Sequence, residues 1–274
     1  MVRAGSQAEV GQAMEAIKSA VDAVFGHAAA ILFPPVCPGC RNIVEAPGTL
    51  CPACWSKVRF LERPWCEVLG TPFTHDMGEG AVSPAAMANP PPFARARSAV
   101  AYGGVVRQVV QNLKYRDRTD LAPWMAGWMV RAGAELVRDA QLVVPVPLHR
   151  GRFFWRRFNQ SAELARHVAR LAGLPLAVDA VERARKTRQQ VGLSARAREV
   201  NVRGAFRVPE PAEIAVRGRR ILVVDDVFTT GATVSAVARA LKRAGAADVD
   251  VLTFARALPG EEPGDFLPDE PDTI

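Results

Sequence analysis

The stretch Ile221-Leu-Val-Val-Asp-Asp-Val-Phe-Thr-Thr-Gly-Ala-Thr-Val-Ser235 decides the fold. Ile221 to Val224 is a short apolar run of the kind found in buried strands, and it ends in two carboxylates, Asp225 and Asp226. A hydroxyl-rich turn, Thr229-Thr230-Gly231-Ala232-Thr233, then opens directly into a helical pattern that continues to Arg243. Further strand-like runs lie outward from it at Ser98 to Tyr102, Leu142 to Val146 and Val249 to Phe254. Helical patterns occupy Val105 to Tyr115, Leu121 to Arg138 and Ser161 to Leu171, whereas residues 183–203 are basic and polar with little periodicity. Strand and helix alternate, which predicts an α/β domain with a Rossmann-like parallel sheet.

Ligands of open parallel sheets bind beyond the carboxyl ends of the strands. The Thr229–Thr233 turn would offer backbone N–H groups and hydroxyls at a helix N-terminus, a setting that suits a phosphate. Gly231 permits close backbone approach. Asp225 and Asp226 cannot hold that phosphate, but they can accept hydrogen bonds from sugar hydroxyls beside it. A phosphate on the turn and a diol on the acids together describe a ribose 5-phosphate. A P-loop nucleotidase would also place acids after an apolar strand, but it needs a Gly-Lys pair, and none occurs in this chain.

Cys37-Pro-Gly-Cys40 and Cys51-Pro-Ala-Cys54 are two C-x-x-C pairs ten residues apart. Four thiolates at this spacing close a tetrahedral Zn²⁺ shell, so Cys37, Cys40, Cys51 and Cys54 are the candidate ligands of a structural zinc ribbon. Cys66 stands alone, because Leu69 occupies the position a third pair would need, and it reads as a buried thiol. The chain then divides into an amphipathic N-terminal helix (1–33), the cysteine module (34–70), a Pro/Gly/Ala-rich connection (71–94) and the α/β domain (95–256). An acidic tail (257–274) with four prolines and no basic residue follows, and it reads as disordered.

The 274 residues are 49% hydrophobic and 23% charged, ordinary for a globular protein and against general disorder. No run approaches the ~20 apolar residues that span a bilayer. The N-terminus carries Glu9, Glu15 and Asp22 where a secretory signal would be basic, so the expected compartment is the cytoplasm. The net charge of +7 is concentrated: residues 95–220 hold 25 basic and 10 acidic side chains, a balance of +15. This favours an anionic ligand there, phosphate or nucleic acid.

The run Val223 to Ser235 resembles the 5-phosphoribosyl-1-pyrophosphate (PRPP) binding signature of type I phosphoribosyltransferases. With the cysteine module upstream, residues 30 to 256 look like the ComF family. Leu113-Lys114-Tyr115-Arg116, Pro145 to Arg150, Phe158-Asn159-Gln160, Gln190 to Ser194 and Asn201 to Phe206 match in order. Arg157 replaces the usual Gly before Phe-Asn-Gln, and the third C-x-x-C is reduced to Cys66.

The resemblance implies that Asp225 and Asp226 hold the ribose hydroxyls and that Thr229, Thr230, Gly231, Ala232 and Thr233 hold the 5-phosphate. It also places His149 and Arg150 at the pyrophosphate and makes Lys186, Arg188 and Gln190 part of a loop that closes over PRPP. Mg²⁺ would accompany PRPP. The implied role is DNA uptake, competence or DNA utilisation, with single-stranded DNA and DNA-processing proteins as partners. Phe153, Phe154 and Trp155 beside Arg152, Arg156 and Arg157 are the stacking candidates. The alternative is an active phosphoribosyltransferase with an unidentified small-molecule acceptor. The reacting groups of such an enzyme are not visible in the sequence.

Overall fold

The computed structural model describes residues 34–115, 118–148, 159–185 and 195–258. The expected N-terminal helix and acidic tail lie outside them. The helices are α1 (Pro52–Trp55), α2 (Pro84–Ala88), α3 (Gly104–Tyr115), α4 (Ala122–Ala132), α5 (Ala134–Asp139), α6 (Gln160–Ala172), α7 (Ala195–Val202), α8 (Glu210–Val216) and α9 (Ala232–Arg243). The strands are β1 (Arg95–Ala101), β2 (Leu142–Pro145), β3 (Glu182–Arg183), β4 (Phe206–Arg207), β5 (Arg220–Phe228) and β6 (Asp248–Arg256).

β1, β6, β5 and β2 form one parallel sheet in that spatial order, and β3 pairs antiparallel with β4. The two central strands are almost wholly buried, as expected when helices cover both faces. Alternate residues go to different cores. Leu222, Val224, Leu252 and Phe254 pack with the cluster built on α3, α4 and α6. Ile221, Val223, Val249 and Val251 pack with α9 and Phe206.

Two boundaries differ from the sequence reading, each for a steric or hydrogen-bonding reason. The expected helix from Leu121 to Arg138 is broken at Gly133, where a Cβ would sit 2.6 Å from Leu252 Cδ1. A side chain there would have to push the Leu252 methyl aside, so glycine lets the chain pass this close to β6. The strand expected to end at Val224 continues to Phe228, because β6 pairs with it up to Phe228↔Arg256. β2 stops earlier. Its last partner pair is Pro145↔Val224, and the pairing ends where the Val146 N–H reaches the Val224 carbonyl at 3.0 Å. Beyond Val224 one edge of β5 is therefore released from the ladder.

The outer edge of β1 is occupied by the N-terminal module. Leu61 N–H donates to the Ala99 carbonyl (3.0 Å), Ala101 N–H to Arg59 (2.9 Å) and Ala96 N–H to Val68 (2.8 Å). Arg97, 1% exposed, points from β1 into that junction and pairs with Glu67 and Glu135, both at 2.7 Å.

Candidate functional site

The released end of β5 carries the two acids. Asp225 Oδ1 accepts the Ser161 hydroxyl at 2.7 Å and the Asp226 N–H at 3.0 Å. Ser161 is set by the start of α6: the Asn159 side chain accepts the Ser161 N–H (3.1 Å) and donates to the Val146 carbonyl (3.2 Å). One residue thus caps the helix and ties it to the end of β2. Burial, reinforced by the neighbouring Asp226 charge, pushes the Asp225 carboxyl up to about 7. Asp226 is 8% exposed and pairs with Lys114 Nζ of α3 at 2.9 Å. Burial alone would lower the Lys114 ammonium, but the attraction of Asp226 outweighs it and raises its pKa.

The turn that follows begins with Thr229, half-buried, and Thr230, exposed. Gly231 has φ 74° and is the N-cap of α9, so no side chain at that position caps the helix. A Cβ there would lie 2.6 Å from Phe228 Cζ, so both the dihedral and the packing require glycine. Ala232 N–H reaches only the Thr230 hydroxyl, at 3.4 Å. The first turn of a twelve-residue helix thus follows closely on the acids, and its N-terminus carries a partial positive charge. Ala232 is buried and Thr233 half-buried in that turn.

The structure brings Asp225, Asp226 and the Thr229–Thr233 turn together. His149, Arg150, Lys186, Arg188 and Gln190 lie outside the described residues, as do the aromatic and basic residues from Arg152 to Arg157. Lys114 and Ser161 were not assigned roles from sequence, although both had a signal. Lys114 belongs to Leu113-Lys-Tyr-Arg116, and Ser161 directly follows Asn159-Gln160.

The Cys37, Cys40, Cys51 and Cys54 sulfurs all lie within 4.8 Å of one another, with Cys40 and Cys51 at 3.5 Å. A tetrahedron of ~2.3 Å Zn–S bonds has S–S edges of about 3.8 Å, so the set fits a closed S₄ zinc shell. Burial would raise the Cys37 thiol, but N–H groups of Cys51, Cys40 and Gly39 aim at its sulfur and bring it down to about 6. Burial and the neighbouring thiols push Cys54 up, as expected for sulfurs crowded together without a cation. Cys66 is fully buried and stands apart from this set.

Residues 28–86 match the family model for a double zinc ribbon domain, and residues 159–274 match that for a phosphoribosyl transferase domain. Over 231 residues the chain is 32% identical to DNA utilization protein YhgH of Shigella flexneri, covering 81% of this chain and 91% of that one. It is 30% identical over 154 residues to Competence protein F of Haemophilus influenzae, covering 54% and 67%. A purine phosphoribosyltransferase structure from Pyrococcus horikoshii Ot3 aligns with 49% of this chain and 84% of its own, at 16% identity and a TM-score of 0.31.

Proposed function

Since the chain belongs to the ComF family of proteins that join a double zinc ribbon to a type I phosphoribosyltransferase domain, we propose that it binds PRPP at the end of β5 and serves DNA uptake or utilisation. One observation carries the ligand assignment: two acids on the unpaired edge of β5 lead without a break into a glycine-capped helix N-terminus. Asp225 and Asp226 would accept the ribose hydroxyls, with Ser161 and Lys114 fixing their orientation. The Thr229–Thr233 turn would hold the 5-phosphate by N–H and hydroxyl donors. Mg²⁺ would arrive on the oxygens of PRPP, as an ion that keeps most of its waters. The two carboxylates already have partners and suit hydroxyls better than a bare cation. When bound, Zn²⁺ on the four cysteines would supply structure and no chemistry.

The +15 block supports a polyanionic partner, single-stranded DNA first. A cavity of about 220 Å³ at the ribbon–domain junction offers aromatic rings to bases, Trp55, Phe60, Trp65 and Trp128, while Arg63 and Arg131 at its wall are matched by Glu62 and Glu135. Among the described residues no helix is long and apolar enough to cross a membrane. A cytoplasmic location is the companion proposal.

Calorimetry with PRPP and Mg²⁺ tests the assignment. The Asp225→Ala/Asp226→Ala variant should retain its circular dichroism and lose measurable affinity. Unchanged affinity would refute the roles given to both acids. Pyrophosphate release with a small acceptor, and no DNA binding, would favour the transferase alternative.

A further inference from the structure

The N-terminal module follows the same backbone path twice. In the first pass, Val36 bridges Ile43, Cys37 N–H donates to Asn42 (2.7 Å), Arg41 N–H to Cys37 (2.9 Å) and Val44 N–H to Pro35 (2.9 Å). Twenty-nine residues on, Trp65 bridges Pro72, Cys66 N–H donates to Thr71 (2.9 Å), Gly70 N–H to Cys66 (2.7 Å) and Phe73 N–H to Pro64 (2.8 Å). The residue that turns each loop has the same left-handed backbone, φ 65° at both Arg41 and Gly70.

The second halves also correspond. Cys51 stands at the N-cap position of α1 and donates its N–H to Cys37 Sγ at 3.4 Å; Ser83 stands at the N-cap position of α2 and donates its N–H to Cys66 Sγ at 3.2 Å. Pro-Ala follows the cap in both, at Pro52-Ala53 and Pro84-Ala85. The four zinc ligands Cys37, Cys40, Cys51 and Cys54 therefore map onto Cys66, Leu69, Ser83 and Ala86.

We propose that residues 64–88 are a second ribbon lobe whose metal site has been dismantled, and that packing and a half-buried ion pair replace the ion. One thiol among a leucine, a serine and an alanine cannot close a zinc shell. The only grouping of metal-binding side chains among the described residues is the Cys37–Cys54 set. The double-ribbon architecture thus persists with ligands for one ion.

What holds the second lobe is visible at the positions where a ligand would be missed. Cys66 Sγ takes N–H groups from Leu69 (3.4 Å) and Ser83 (3.2 Å) in place of a cation. Ala86 is 3% exposed and fills the fourth corner with carbon. Glu67, inside the former knuckle, receives Arg97 on its carboxylate at 2.7 Å and on its carbonyl at 2.9 Å, and the guanidinium lies 4.7 Å from the Trp65 ring centre. A Cβ on Gly70 would meet the Ala96 carbonyl oxygen at 2.2 Å, so this knuckle lies backbone to backbone on β1. Its anchorage is the sheet edge, which needs no metal.

The test restores the missing ligands. Leu69→Cys/Ser83→Cys/Ala86→Cys should bind one more Zn²⁺ per chain than the parent by elemental analysis. Substituted with Co²⁺, it should show about twice the parent's thiolate charge-transfer absorption. The elemental analysis reads the gain over the parent, and the cobalt spectrum reads that gain against a parent with one thiolate site. No gain in a variant with native circular dichroism would overturn the proposal.

Hydrogen exchange on the unaltered protein decides the matter if the variant fails to fold. Chelation should strip protection from residues 35–58 and leave it in 64–88. Simultaneous loss in both, or two Zn²⁺ ions in the unaltered chain, would overturn the proposal.

Discussion

Asp225 keeps its proton to about pH 7 because burial and the charge of Asp226 both penalise its carboxylate. An unfolded chain releases that proton near pH 4. Between the two values the folded state binds more protons, so this group's contribution falls as pH rises and is fully unfavourable above pH 7. Asp225→Asn keeps the Oδ1 acceptor for Ser161 and the Asp226 N–H while removing the charge. It should therefore stabilise the protein at pH 8 by on the order of 1–3 kcal/mol, with little gain at pH 4, as thermal melts at the two pH values would show. The same variant should bind PRPP at least tenfold more weakly, roughly 1.4 kcal/mol, because an amide cannot accept two sugar hydroxyls on both atoms. Lys114→Met acts in the opposite direction. It leaves two adjacent acids without their cation, so it should cost about 1–3 kcal/mol, most at high pH, and move the Asp225 titration upward in carbon-detected NMR.

At the scale of elements, the connection from β5 to α9 has least tolerance. Gly231→Ala combines a left-handed backbone with a methyl group 2.6 Å from Phe228 Cζ, so a loss of about 1–3 kcal/mol is expected. Urea titration would measure it, and calorimetry should show weaker PRPP binding alongside, since relief of the clash must shift the turn. This connection was also the most legible part of the sequence, because strand, acids, hydroxyl turn and helix are consecutive. The sheet strands and the four-cysteine set were legible for a similar reason, each being local in sequence. Lys114 and Ser161 were not, since they reach the acids from α3 and α6 at sequence separations of 112 and 64 residues. The break at Gly133 depends on Leu252, and the run of β5 past Val224 depends on β6. Neither neighbour appears in a local pattern. The second ribbon lobe was half legible: Cys66 with Leu69 in the missing position pointed to one zinc site rather than two, but the matching backbone path, kept only in Pro64, Cys66, Pro84 and Ala85, needed the structure.

For the whole molecule, charge and metal make separate predictions. If the basic block meets single-stranded DNA, log K should fall with log salt by about 0.7 per neutralised phosphate. Replacing Arg152, Arg156 and Arg157 together should flatten that slope and spare PRPP binding. Fluorescence anisotropy over a salt series would read both, and salt-insensitive binding would count against the DNA role. Cys37→Ser/Cys40→Ser should abolish zinc retention, whereas Cys66→Ser should leave the metal content as it was. The pairing of Arg59 and Leu61 with β1 gives the metal a further consequence. Those residues follow directly on Cys54 and α1, so a relaxed first lobe would free the peptide groups at Ala99 and Ala101, while Val68 still guards Ala96. A sheet with half its border exposed is a template for another copy of itself. Demetallated protein should accordingly scatter light in a concentration-dependent way before it unfolds, and zinc would then act as the guardian of solubility.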